Sequence, residues 1–311
     1  MHNLLRFFRQ NRKKIIRGAI FIAFLFIILQ ILNYISSNTN TQSISNNDIF
    51  KESNGTIISS KSAVSGSDVS EREITEVRDV IKEFVELCNN KNIEEAYNLI
   101  SDSCKQELYS DVESFANNYY QQLFNGETRN YTVQNWSGDT YMVKFTQDLL
   151  ATGKSGGEVG YTDYITVVTE NKEKKLNLNS FIGKEEINKE TKENNIKIKV
   201  LNRVKYMEYE TYEIEVTNDN DDIIELAQPT PDKKSIYLKD SKDTRHYAYS
   251  NEIIDDEMKI QSKYTKKVKI KFDNPYISDR RIKKMCFSKV VLYMMDGDYR
   301  SARLLNMSVN I

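Results

Sequence analysis

Apolar residues along this chain change their spacing several times, and each change predicts a different kind of element. From Gly18 to Ile35 (GAIFIAFLFIILQILNYI) the run is apolar on every side, uncharged, with Gln30 and Asn33 its strongly polar members. At about 1.5 Å per residue it spans about 27 Å, near the roughly 30 Å hydrocarbon thickness of a bilayer, so it reads as a transmembrane helix. Residues 36–72 lose all periodicity. Their Ser, Asn, Thr and Gly content offers too little apolar surface to offset the entropy of ordering, which predicts a flexible polar stalk. Then Ile74, Val77, Ile81, Phe84, Val85 and Cys88 recur at three- and four-residue spacing, the apolar face of one helix. Asn92, with Glu95 three residues on, predicts a capped second helix that buries Ile93, Ala96, Tyr97 and Ile100. A short third piece follows Asp102. A fourth helix places Val112, Phe115, Tyr119 and Leu123 on one side and stops at Asn125-Gly126.

Beyond Gly126 the period becomes two. Strands are expected near Arg129 to Trp136, Thr140 to Leu150, Tyr161 to Thr169 and Lys174 to Phe181, with turns at Ser137-Gly138, Ser155-Gly156-Gly157 and Asn171-Lys172. Residues 184–193, KEEINKETKE, show no alternation and read as a charged connector. After it, Ile196, Ile198 and Val200, then Tyr212, Ile214 and Val216, then Val268, Ile270 and Phe272, and finally Leu305, Met307, Val309 and Ile311 alternate with polar residues. With further strands near 223–226, 235–238, 246–249 and 285–293, about eight strands fill residues 194–311, which suggests a β-sandwich. The expected fold class is therefore α+β: a helix-plus-curved-antiparallel-sheet domain, an all-β sandwich, and one N-terminal transmembrane helix.

The stretch VIKEFVELCNNKNIEEAYNLIS, with Ala96-Tyr97-x-Leu99 in its second helix, followed by Phe115 and four strands, resembles the nuclear-transport-factor-2-like superfamily over residues 73–183. The resemblance implies a cone whose sheet wraps a helix around a pocket, used by different members for catalysis, ligand binding or partner contacts. Residues 194–311 are similar to the immunoglobulin-like sandwich domains of bacterial surface proteins, without a Cys-Trp-Cys signature.

Charge adds a direction to the anchor. Arg6, Arg9, Arg12, Lys13, Lys14 and Arg17 precede it, and no basic cluster follows closely, so the positive-inside rule keeps residues 1–17 cytoplasmic and sends the rest out. The expected location is the cell membrane, single-pass, with extracytoplasmic C-terminal domains and lipid contact through residues 18–35. The chain has 311 residues with 44 basic and 45 acidic side chains; six of the basic and none of the acidic lie in the first 35 positions, leaving the remainder at −7. Such a surface offers no general attraction for nucleic acid. Cys88, Cys104 and Cys286, an odd number without short paired spacing, predict neither a disulfide framework nor a zinc site.

Candidate chemistry is sparse. Gly153-Lys154-Ser155 imitates the end of a phosphate-binding loop, but Asp148 stands where its first glycine belongs and no helix follows, so a strand connection is the reading. The two histidines, His2 and His246, both fall outside residues 73–183, so no histidine-based acid/base pair or Ser/His/Asp triad can be assembled there. Asp139, Asp148, Glu158 and Asp163 could line a pocket, but strand ends and turns normally expose such residues, and exposure is the reading taken. Asn218-Asp219-Asn220-Asp221-Asp222 resembles a calcium loop, yet Ile223 replaces the turn glycine and Pro229 the bidentate glutamate. No catalytic, cofactor-binding or metal-binding residue is assigned, and no cofactor is expected. Tyr119, Tyr120, Phe124, Trp136 and Tyr141, with Tyr131 and Phe145, form the candidate pocket-lining or partner-binding set. Tyr119 and Tyr120 are adjacent on one helix, so one of them is expected to face outward.

Two functional readings follow. The first is a non-catalytic, membrane-anchored interaction or scaffold protein of a bacterial cell envelope with protein partners, in a layout similar to inner-membrane scaffold components of conjugation and type IV secretion machines. The second is a surface receptor that takes a small ligand, peptide or wall fragment in the pocket of the first domain.

Overall fold

The computed structural model describes residues 56–57, 62–64, 70–147, 160–227, 234–274, 281–293 and 302–311, which fall in one compact unit, Ser53–Ile311. The basic tail with Arg6, Arg9, Arg12, Lys13, Lys14 and Arg17, and the expected anchor at 18–35, lie outside the described residues. Among the described residues no helix is long and apolar enough to cross a membrane. The longest, α1 (Glu71–Asn89), carries charge on its exposed side and an apolar stripe on the other. The expectations of a single-pass membrane protein, a cell-membrane location and an extracytoplasmic orientation are corrected on this finding.

The helices form where the apolar spacing places them. Ser70 starts α1, its hydroxyl oxygen accepting the Glu73 N–H at 3.3 Å. Helix α1 buries Val77, Val80, Ile81, Phe84, Val85 and Cys88. Next is α2 (Ile93–Asn98); Asn92 precedes it but makes no side-chain cap bond, contrary to the expected capping box. Helix α3 (Asp102–Leu108) is capped by Ser101, and α4 (Val112–Phe115) by Asp111, whose carboxylate accepts the Ser114 N–H at 2.7 Å. The chain then widens into a π turn, Ala116–Tyr120, before α5 (Gln121–Leu123). Asn125 and Gly126, both at positive φ (50° and 73°), end the run as their sequence predicts.

Five strands follow the order β1-β2-β3-β4-β5: β1 (Thr56–Ile57), β2 (Arg129–Ser137), β3 (Thr140–Gln147), β4 (Tyr161–Glu170) and β5 (Glu173–Asn177). Strand β1 pairs in parallel with β2, Thr56 opposite Thr132. The Ala63 and Val64 N–H groups reach the Asn135 and Trp136 carbonyls, and the Ser62 hydroxyl donates to the Trp136 carbonyl at 2.6 Å. These residues were expected in the polar stalk at 36–72; instead they cover an edge of β2 that would otherwise leave peptide groups unpaired.

The second sheet, order β13-β8-β7-β6, contains β6 (Phe181–Glu193), β7 (Ile196–Tyr206), β8 (Tyr209–Asn218) and β13 (Tyr264–Asp273). The expected connector at 184–193 is thus a strand, paired along its length with β7 from Phe181↔Tyr206 to Glu193↔Ile196. Its side chains are mostly exposed, which is why they show no apolar alternation. The third sheet runs β11-β10-β14-β9-β12 with β15 on the other side of β14: β9 (Ile224–Glu225), β10 (Ile236–Asp240), β11 (Arg245–Tyr247), β12 (Lys259–Ile260), β14 (Ile282–Tyr293) and β15 (Arg303–Asn310). Its inward residues, among them Ile236, Leu238, Met285, Phe287 and Val309, share one core with Ile198, Ile214 and Ile270 of the second sheet.

Strands therefore dominate, and pairing within the second and third sheets is antiparallel. The expected α+β class with a transmembrane helix is corrected to a mostly β chain, because the charged 184–193 stretch is itself strand and α2 to α5 are each short. Phe181, Val204 and the partly buried Tyr206, at one end of the β6–β7 hairpin, belong to the first core with α1 and β2 to β5, while Ile196, Ile198 and Val200 at its other end belong to the second core.

Candidate functional site

The aromatic set singled out from the sequence divides on folding. Tyr119, Phe124 and Tyr141 are fully buried, Tyr120 is nearly so, and Trp136 is half-buried. Tyr119 stacks on Phe115 with ring centres 5.8 Å apart and meets Phe84 and Tyr109 edge-on; Tyr120 stacks on Phe124, which in turn meets Phe145 edge-on. Trp136 packs edge-on against Tyr164. The expectation that one of Tyr119 and Tyr120 faces outward is corrected. The π turn that ends at Tyr120 lets one ring meet Phe84 of α1 while its neighbour stacks on Phe124. These side chains fill the interior of the first core.

Asp163, expected at an exposed strand end, is buried in that interior. One carboxylate oxygen accepts the Tyr119 hydroxyl at 2.8 Å and the Asn179 N–H at 2.9 Å; the other accepts the Ser180 N–H at 3.0 Å. Burial pushes its pKa up to about 6, and these hydrogen bonds pull in the opposite direction without cancelling it. Asn179 and Ser180 both hold left-handed backbone (φ 56° and 61°) immediately before β6. Asp163 thus clamps a strained turn, and both its oxygens are already engaged by donors.

Other sequence candidates resolve plainly. The Gly153-Lys154-Ser155 motif lies outside the described residues. In the Asn218 to Asp222 turn, Lys263 Nζ donates to the Asp219 carbonyl at 2.7 Å and pairs with Asp221 at 2.9 Å, and the Asn218 amide donates to the Asp222, Ile260 and Gln261 carbonyls. Lys263 thus already supplies a positive charge to this turn. Among the described residues no group of three or more His, Cys, Asp or Glu side chains could hold a metal ion. His246 pairs with Asp240 at 3.0 Å, an arrangement that also receives the Lys242 and Thr244 N–H groups and holds the Asp240 carboxyl down at about 2. Cys88 and Cys104 are buried thiols with raised pKa values, Cys104 to about 12, both through desolvation.

A surface feature that sequence reading missed lies on the outward face of the third sheet. There a groove of about 410 Å³ is lined by Tyr237 and Lys239 of β10, Arg245 of β11, Cys286, Lys284 and Ser288 of β14, and Asn306 and Ser308 of β15. Register assembles it in rows. Lys239 stands opposite Arg245 on one side and Lys284 on the other, while Tyr237 stands opposite Tyr247 and Cys286. Arg245 lies over the Tyr237 ring at 4.8 Å, which fixes its guanidinium at the groove wall. Like charges placed directly across strands destabilise a sheet, yet three stand in one row here. Lys239 has Asp243 as its resident counter-ion at 2.9 Å, and no carboxylate lines the groove.

No protein family, curated protein or solved structure matches the chain.

Proposed function

We propose that the chain is a non-catalytic interaction protein that engages a protein partner through the grooved outer face of β11, β10, β14 and β15. The observation that carries this reading is the row Arg245–Lys239–Lys284 beside Tyr237 and Tyr247: an arginine and two tyrosines, residue types enriched at binding surfaces, set with two lysines in a concave site. The filled interior of the first core weighs against the alternative of a small-ligand receptor, since Tyr119, Phe124 and Tyr141 occupy the space a ligand would need. The engaged oxygens of Asp163 weigh against general base chemistry there. The nuclear-transport-factor-2-like resemblance adds no activity to this reading, because fold likeness does not select a function.

Photocrosslinking tests it in the cell. A photoreactive residue at Asn306 or Ser308 should trap one defined protein, whereas the same residue at exposed Thr162, on the first sheet, should not. Equal trapping from Thr162, or none from the groove positions, overturns the assignment of this face.

A further inference from the structure

We infer that the groove on the third sheet recognises an acidic segment of its protein partner; this rests on the proposed use of that face and specifies its chemistry. Strands lie about 4.8 Å apart, so the row of β11, β10 and β14 roots three basic side chains at that interval across the sheet. Carboxylates three or four residues apart on a helix lie about 5–6 Å apart, which matches the row when an acidic helix lies across the strands. No carboxylate lines the groove; Lys239 has Asp243 at 2.9 Å on the adjoining turn, and Arg245 and Lys284 have no carboxylate among the lining residues. One of them, Arg245, is held by the Tyr237 ring, so little ordering is left for binding to impose on it.

A polypeptide fits better than a phosphate polymer on two counts. Nucleic-acid binders neutralise on the order of 6–10 phosphates, and this face offers the three cations of the row with Lys234 over the Tyr247 ring beside them. Beyond position 35 the chain carries −7, so it adds no general attraction for a polyanion, and within about 10 Å, the screening length, the local row sets the field that a short acidic segment meets. The tyrosines beside the row, Tyr237 and Tyr247, add contact area of the kind that protein partners use.

The experiment uses the full chain and a fluorescent Glu-rich helical peptide, with a Lys-rich helical peptide, a single-stranded oligonucleotide and a heparin fragment as competitors in fluorescence anisotropy. Saturable binding of the Glu-rich peptide, weakened by salt and reduced at least about tenfold by Lys239→Glu with Lys284→Glu, is expected. Lys267→Glu with Lys269→Glu, on the second sheet, should leave affinity within about twofold. The groove double variant should in turn gain affinity for the Lys-rich peptide, a positive readout that a misfolded protein cannot give. No binding of the Glu-rich peptide, binding indifferent to the groove reversal, or tighter binding of the oligonucleotide or heparin overturns the inference. The two readings fail separately. A crosslinked partner whose contacting segment is not acidic removes the acidic assignment and leaves the interaction face; peptide binding at the groove without any crosslinked partner removes the face's cellular role instead.

Discussion

Asp163 gives the sharpest quantitative test. Its carboxyl is buried among Tyr119, Asn179 and Ser180, and its pKa in the folded chain is about 6, against an ordinary value of 3.8. A group whose pKa is raised on folding binds its proton more tightly in the folded state. It therefore adds stability as pH falls through about 6, and the gain is complete below the unfolded value near 3.8. The full difference of roughly two pKa units corresponds to about 3 kcal/mol, and between about pH 7 and pH 4.5 linkage assigns about 2 kcal/mol to this one group. Other carboxylates titrate in the same range, so the measurement is a difference: urea unfolding of the wild-type chain and of Asp163→Asn at both pH values. The stability of wild type relative to the variant should rise by about 2 kcal/mol at the lower pH, equivalent to roughly 4–8 °C in melting temperature for a unit of this size. A flat difference would mean that the hydrogen bonds to the carboxylate fully offset its burial. A difference of opposite sign would show that they outweigh it, and the account of the clamp given above would be refuted.

Three more perturbations probe the packing. Tyr120→Ala should cost about 3 kcal/mol in denaturant unfolding, the loss of a buried ring stacked on Phe124, whereas an outward-facing tyrosine on a regular helix would cost under about 0.5 kcal/mol. Phe181→Ala empties a fully buried position at the foot of the β6–β7 hairpin, where the ring meets Tyr206 edge-on; it should cost roughly 3–5 kcal/mol, with calorimetry showing loss of stability in the first core before the second. Iodoacetamide at neutral pH should leave Cys88 and Cys104 unlabelled in the native protein and label both after denaturation, as peptide mapping can read, because burial keeps both thiols protonated.

What the sequence made legible was local. The three-and-four spacing from Ile74 to Cys88 found α1, the Asn125-Gly126 pair found the end of the helical run, and the alternation of Ile214 or Ile270 with charged neighbours found their strands. The π turn escaped because nothing in Ala-Asn-Asn-Tyr-Tyr distinguishes it from an ordinary helical turn; the demand of two aromatic clusters for adjacent rings decides it. Strand β6 escaped because alternation reports burial on one face, and in KEEINKETKE Ile187 alone is an apolar residue packed on a core, the rest being mostly exposed. The groove was the least legible of all. Lys239, Arg245 and Lys284 each fall one residue outside the strands expected at 235–238, 246–249 and 285–293, and strand order and register alone bring them into one row. Asp163 was misread for a similar reason: the turn at Asn179-Ser180 that buries it comes from a different strand end.

The β6–β7 hairpin has a mechanical consequence. Its two strands are bonded side by side from Phe181↔Tyr206 to Glu193↔Ile196, with one end anchored in the first core and the other in the second. Tension along the hairpin axis is carried by two covalent backbones side by side, and the hydrogen bonds between them resist bending of the pair. A hinge between the cores would dissipate a pull on the grooved face as rotation; a continuous hairpin transmits it as force to the helices around Phe84 and Phe115. The hairpin makes the link between the two cores a paired ribbon and not a single flexible strand.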